Sequence, residues 1–339
     1  MSTPSTGAPR ASRRRPRTAA VAALACAITA LALWAFAWPA ARTAPRDLPL
    51  GVAGPAAAAE PVTRQLEWRE GAFEIHRYAD EAAARAAIED RTVYGAIVAT
   101  PGGPKLLTAT AASPVVAQLL QQAVKEQAPD SAAVPTVDVV PAPAADPRGS
   151  ALGSSVLPLV IAGVAAGALV TVLGLSGGRA VAALLVTAAL VGAVAAALAH
   201  SWLGVLTGNW WAEAGVLGLA TLAVSATVAG LAALLGFAGI GAGALLMVLL
   251  GNPFSGVTSA PQLLPEPVGL IGQLLPPGAE GSLLRSVSFF DGAQASGPAL
   301  TLSAWAAFGL AAVLLGALRE RRRPAPAATP VRQPAASAG

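Results

Sequence analysis

Charge is scarce in this chain, and where it is missing is informative. Only 12% of the 339 residues are Asp, Glu, Lys or Arg, while 55% are hydrophobic, far from the composition of a water-soluble globule. Cysteine occurs once, as Cys26, so no internal disulfide can form, and a thiol inside an apolar run reads as packing. Two histidines, His76 and His200, lie far apart in the sequence; they supply no His/Cys metal cluster, and no metal site is expected. The lysines are Lys105 and Lys125 alone, and no G-x-x-x-x-G-K-[ST] run exists. A Walker-type nucleotide site therefore cannot be built on this chain. With no Ser/His/Asp grouping or zincin helix either, neither an enzyme nor a bound cofactor is expected.

What is present is a series of uncharged runs. Thr18–Ala41 carries about the twenty residues needed to cross a bilayer. A cleaved signal peptide competes with a retained helix, but its apolar stretch exceeds the roughly 7–15 residues of a signal core. Trp34 and Trp38 near its far end suit an interface. Four more spans are expected over about 156–175, 180–199, 213–231 and 235–251, and a last one over 298–318. Ala214–Gly251 is charge-free for 38 residues, about 57 Å of helix, so two spans with a turn near Gly230–Gly236 fit it better than one. Gly163 and Gly167 form a pair that permits close helix approach.

Residues 42–150 are different: thirteen acidic and nine basic side chains (counted from Arg46) accompany alternating strand and helix signals. Strands are expected at Leu48–Val52, Phe73–Tyr78, Thr92–Ala99, Lys105–Ala109 and Thr136–Val140. Helices are expected at Ala56–Leu66, Glu81–Asp90 with Asp80 as N-cap, and Val115–Gln127. That pattern predicts a small α/β sandwich. The fold class is thus an α-helical integral membrane protein of six transmembrane helices, with this domain between helices 1 and 2. Residues 1–17, with five arginines, and 319–339, which begin with Arg319, Arg321, Arg322 and Arg323, read as disordered basic tails. A basic cluster abutting an apolar run reads as a topogenic anchor; no nucleic-acid partner is expected. Placing both tails and Arg179 in the cytoplasm puts residues 42–150 outside, in a cell (plasma or inner) membrane.

The stretch 252–297 lies between the fifth and sixth spans. It is apolar, but Pro253, Pro261, Pro265, Pro267, Pro276 and Pro277 break it. Two amphipathic pieces, Leu263–Leu275 and Ala279–Phe290, fit between the breaks. Such broken helices persist at membrane depth only when buried in protein or lining a wet cavity. Here the hairpin either merely packs or gates a pathway. Glu213, at the outer mouth of the fourth span, is either a functional carboxylate or an interfacial one facing water.

The runs GNPFSG, LLPEP, LLPPGAEGSLLR and FFDG between Gly251 and Gly292, with DRTVYGAI at Asp90–Ile97, resemble membrane subunits of type-2 ATP-binding-cassette exporters. Within these the chain looks most like the phage-infection-protein type, which carries a large outer domain after its first helix. The resemblance implies a homo- or heterodimer of such subunits with a separate cytoplasmic ATPase. It places the hairpin at the outer mouth of the pathway, assigning to it Asn252, Pro253, Gly256, Pro265, Pro276, Pro277, Gly278, Arg285, Phe289, Phe290 and Asp291. Ser176, Gly177, Gly178 and Arg179 become the ATPase-docking loop, with the N-terminal arm as a second docking surface. Arg285 would meet an anionic lipid headgroup, pair with Asp291, or snorkel from an amphipathic helix. The function implied is export of an amphiphilic, lipid-like, drug or peptide cargo through contact with membrane lipids; a non-transporting envelope receptor or scaffold is the alternative. An ion-driven carrier is disfavoured because the spans show no buried carboxylates.

Overall fold

The computed structural model describes residues 15–127 and 134–322; the tail readings before residue 15 and after 322 lie outside them. Among the described residues six helices are long and apolar enough to cross a membrane: Thr18–Ala40, Ser150–Val172, Gly177–Trp202, Trp210–Leu235, Phe237–Phe254 and Ser296–Arg321. The protein is a multi-pass membrane protein with an α/β sheet domain between the first and second of these.

The first span belongs to α1 (Arg15–Ala40), and the sheet domain follows. It contains β1 (Leu48–Ala53), α2 (Ala56–Glu67), β2 (Phe73–Tyr78), α3 (Glu81–Glu89), β3 (Gly95–Thr100), β4 (Gly103–Thr108), α4 (Pro114–Gln127) and β5 (Thr136–Asp138). The strands form one sheet in the order β2-β1-β3-β4-β5, parallel except for the β3–β4 hairpin. Asp80 caps α3 as expected, accepting from the Ala83 amide at 2.9 Å. Strand alternation sends Leu48, Leu50, Val52, Ile97 and Leu106 to one face, where Leu66, Val116 and Leu120 of α2 and α4 cover them. Ala53, Ala96, Val98 and Leu107 face the other way, against Ala84, Ala87 and Ile88 of α3.

The spans after the domain are α5 (Ser150–Val172), α6 (Gly177–Ala196, prolonged by a π-helical turn to Trp202) and α7 (Trp210–Leu235). Next come α8 (Phe237–Ala244), a π-turn over Leu245–Gly251 and α9 (Asn252–Phe254), which together make the fifth span. Of the most apolar window in α7, 78% is buried; for α1 the figure is 6%. The other helices close on α7 through small residues. Gly163 and Gly167 of α5 face Val224 and Val228, and an added methyl at either would come within 2.9 Å of those side chains. A methyl on Gly230 would lie 2.6 Å from the Gly309 carbonyl of α12 (Ser296–Arg321). The expected turn between the fourth and fifth spans is a single residue, Gly236, whose φ of 68° suits glycine. Beyond it α8 doubles back, with Gly243 against Val228.

The stretch before the last span contains a 3₁₀ turn (Pro261–Leu263), α10 (Val268–Gln273) and α11 (Pro276–Phe289). The first amphipathic piece is therefore shorter than expected and the second longer: residues 264–267 are not helical, and Pro276 and Pro277 start α11 instead of preceding it. Proline at N1 and N2 loses no hydrogen bond that a helix would make there.

Candidate functional site

The hairpin is the joint of the molecule. Ala260 and Leu263 enter the sheet layer with α2 and α4, and Phe290 enters the layer with α3. On the other side Ala279, Leu283 and Leu284 belong to the core formed with Leu217, Ala220 and Ala223 of α7 and Leu302 of α12. Backbone bonds from Ala44 to Leu263 and Arg46 to Gln262, of 3.0 and 2.9 Å, clamp the chain leaving α1 to the same hairpin. The Tyr94 hydroxyl donates to Gln262 Oε1 at 3.0 Å.

The predicted hairpin residues fall at different depths. Asn252 and Pro253 form α9, half-buried, and the Asn252 carbonyl accepts from Ser255 Oγ at 2.6 Å. Gly256 has φ 65°, and a methyl there would lie 2.7 Å from Pro261 N. Pro265 is buried and turns the chain, its carbonyl accepting from Val268 at 2.7 Å. Pro276, Pro277 and Gly278 are buried, with Gly278 pressed on the Gly272 carbonyl. Phe289 is half-buried, Phe290 is buried and Asp291 is exposed.

Two expectations fail here. Arg285 does not snorkel and does not pair with Asp291: it is 7% exposed and donates Nη2 to the Val257 carbonyl. Glu213 does not face water. It is fully buried in the first turn of α7, accepting from Gly208 N at 2.8 Å and lying 2.8 Å from His200 Nδ1. A carboxylate is therefore buried at the end of a span, against the expectation that none was. The structure ties it to fixed partners.

The sequence reading also missed Glu280, Arg91 and His200. Glu280 is 1% exposed on α11, which lies outside the six candidate spans, and its Oε1 has no hydrogen-bond partner. Burial pushes its carboxyl up to about 8. One acid in the apolar run LLPPGAEGSLL was the available signal. Arg91, after α3, donates Nη1 to the Ser282 carbonyl at 2.9 Å and to Ser286 Oγ, and stacks over Phe290. It joins Asp90–Ile97 of the sheet domain to α11.

The predicted docking loop is hardly a loop. Ser176 precedes α6, while Gly177, Gly178 and Arg179 form its first turn. Ser176 instead lines a hollow of about 640 Å³ with Gly236, Phe237, Arg319 and Glu320, where α5, α6, α7 and α12 end together. Among the described residues no group of three His, Cys, Asp or Glu could hold a metal. Compared with family models, curated proteins and solved structures, the chain matches none.

Proposed function

We propose that this chain is the membrane subunit of an ATP-driven exporter, moving an amphiphilic, lipid-like, drug or peptide cargo outward. The observation that carries the reading is the hairpin's double membership. A rigid-body shift of α7 and α12 reaches the sheet domain through Leu283, Leu284 and Phe290 without a flexible link. Two dissimilar parts that share one core element move together, which a gate requires. Glu213 is held by His200 and Gly208 and is not free to load an ion, which favours an external motor over ion coupling.

The motor is a separate ATPase, since the chain has no nucleotide-binding run. The turn of a few residues between α5 and α6 is too short to act as a coupling arm. The 640 Å³ hollow offers a socket in its place, into which an element of the ATPase inserts beside Arg319 and Glu320. Both termini are then cytoplasmic and the sheet domain extracytoplasmic, consistent with arginine at the ends of α6 and α12. Two copies, or one copy and a related subunit, form the pathway.

Purification of the tagged chain from its own membranes tests this. An ATPase subunit should accompany it in stoichiometric amount, and reconstituted vesicles should show ATP-dependent efflux. Repeated isolation without any nucleotide-binding subunit would leave the receptor or scaffold reading in its place. Orientation is checked separately with cysteines at Gly102 and Asp291 in a Cys26→Ser background. Both should react with an impermeant maleimide on intact cells. Gly278, buried on Gly272, would be shielded by packing on either side.

A further inference from the structure

Two guanidinium groups meet at the seam between the sheet domain and the hairpin with no acid to answer them. Desolvation lowers the proton affinity of the half-buried Arg91 and of the buried Arg285, the latter to about 10; the Tyr94 hydroxyl works against this at both, and the charge of Arg91 adds to it at Arg285. Neither belongs to an ion pair among the described residues. Glu89 and Asp90, just before Arg91, are exposed and form no ion pair with it. Asp146 lines a small cavity with Arg285, but its oxygens accept from Ser150 N, Ser150 Oγ and Ala151 N at 2.8–3.1 Å. Glu280 sits five residues before Arg285, about 140° around the helix, and its shift stems from burial alone. Asp291 is exposed. A buried cation without a counter-charge is costly unless an anion supplies one.

Room for that anion exists. Arg91 uses only Nη1; its Nε and Nη2 have no acceptor among the described residues. It lines a cavity of about 240 Å³ with Thr92, Gln262, Gln273, Ser282 and Gln294, and no acid is in that wall. Gln262, Gln273 and Pro261 also line a second cavity, of about 370 Å³, whose walls are Leu264, Pro265, Pro267 and Leu270 with Arg46 and Glu266. Sharing Pro261, Gln262 and Gln273 as a common wall, the two adjoin as a trough whose Arg91 end is donor-rich and cationic and whose other end is mostly apolar, with Arg46 and Glu266 at it. The apolar end adjoins the cluster of Phe254, Leu264 and Val268 that Trp38 of α1 packs against.

We propose that this trough binds a phosphate-bearing amphiphile, its phosphate on the free fork of Arg91 with the charge of Arg285 behind it, and its chain along Leu264 and Leu270. A guanidinium offers a phosphate two parallel N–H donors. The apolar extension selects a lipid over a free anion. This goes beyond the transport reading, because occupancy of the seam does not require that anything be exported.

The test uses the full-length protein in neutral detergent micelles and three probes: dioleoyl phosphatidic acid, the diacylglycerol with the same chains, and inorganic phosphate. Binding is read by native mass spectrometry and by displacement of labelled phosphatidic acid. Phosphatidic acid should bind at least about tenfold more tightly than either other probe. Arg91→Gln should lose about tenfold for phosphatidic acid and leave diacylglycerol unchanged, with Arg91→Lys in between. Leu270→Asn should weaken both lipids and spare inorganic phosphate. Equal binding of diacylglycerol would overturn the phosphate site, and equal binding of inorganic phosphate would overturn the lipid. Undiminished affinity in Arg91→Gln would overturn the role of Arg91. Should Arg91→Gln not fold, the wild-type competition and Arg91→Lys decide.

Discussion

The first and fourth spans look alike by hydropathy, with mean values of 2.2 and 2.0, yet one is 6% buried in its apolar window and the other 78%. The difference lies in which residues make up the apolar surface. On α1, Val21, Leu24, Leu33 and Trp34 are exposed, and the helix is held near its end, where Ala35 is buried and Trp34 meets the Phe254 ring edge-on at 6.2 Å. Beyond Glu213 in its first turn, α7 spends its threonine hydroxyls on its own backbone: Thr221 and Thr227 donate to carbonyls four residues back, at 2.8 and 2.7 Å. Its surface stays smooth enough for the glycines of four neighbours to reach it. Membrane helices gain little from hiding apolar area from lipid, so close packing decides which helix is central.

If that account holds, substitutions should matter most against α7 and least on α1. Gly309→Leu drives a side chain into the backbone at Ala226 and Thr227. It should cost about 3 kcal/mol or more and sharply reduce folded yield in detergent; a near-normal yield would show that the α7–α12 contact is not tight. Glu280→Gln acts in the opposite direction and depends on pH. The folded-state value of Glu280 is raised from the ordinary 4.5 to about 8, so the native chain holds a proton there that the unfolded chain releases. Wild-type stability should therefore fall as pH rises from about 4.5 to 8, and Glu280→Gln should remove that slope, gaining on the order of 3 kcal/mol at pH 8. Parallel melting curves for the two chains across that range would show that Glu280 finds a partner.

Glu213→Ala orphans His200 and the Gly208 amide and should cost about 2 kcal/mol, read as a lower melting temperature. Trp305→Phe loses the bond from Nε1 to the Leu274 carbonyl, 2.8 Å long, and trims the ring that packs on two core clusters, and should cost about 1–2 kcal/mol. Val21→Ala, on the exposed surface of α1, should change stability by less than about 0.5 kcal/mol. A large loss there would mean that α1 has a protein neighbour that its own chain does not supply.

The sequence made most of this architecture readable where a period or a breaker acts locally. The strand bounds at Leu48 and Phe73, the cap at Asp80 and the break at Gly236 all follow from neighbours within a few residues. What it hid were meetings between distant segments. Glu213 reads from sequence as either a functional carboxylate or one facing water, because nothing nearby announces that His200, thirteen residues earlier, returns to it. Arg285 reads as amphipathic decoration because its acceptor, Val257, is 28 residues away. Likewise Arg91 and Ser286 stand 195 residues apart. The proline-rich stretch announced a broken segment, but its breaks served as helix starts as readily as ends, and only the structure shows which.

The single residue between the fourth and fifth spans has a consequence for biosynthesis. With Gly236 alone at the bend, and Gly239 and Gly243 already against Leu231 and Val228, there is no aqueous tether long enough to let one rod settle before its successor. The bend leaves the two rods no room to settle apart, so they are built to enter the bilayer as a hairpin, and a ribosome stalled between them would hold out a rod still missing one of its neighbours.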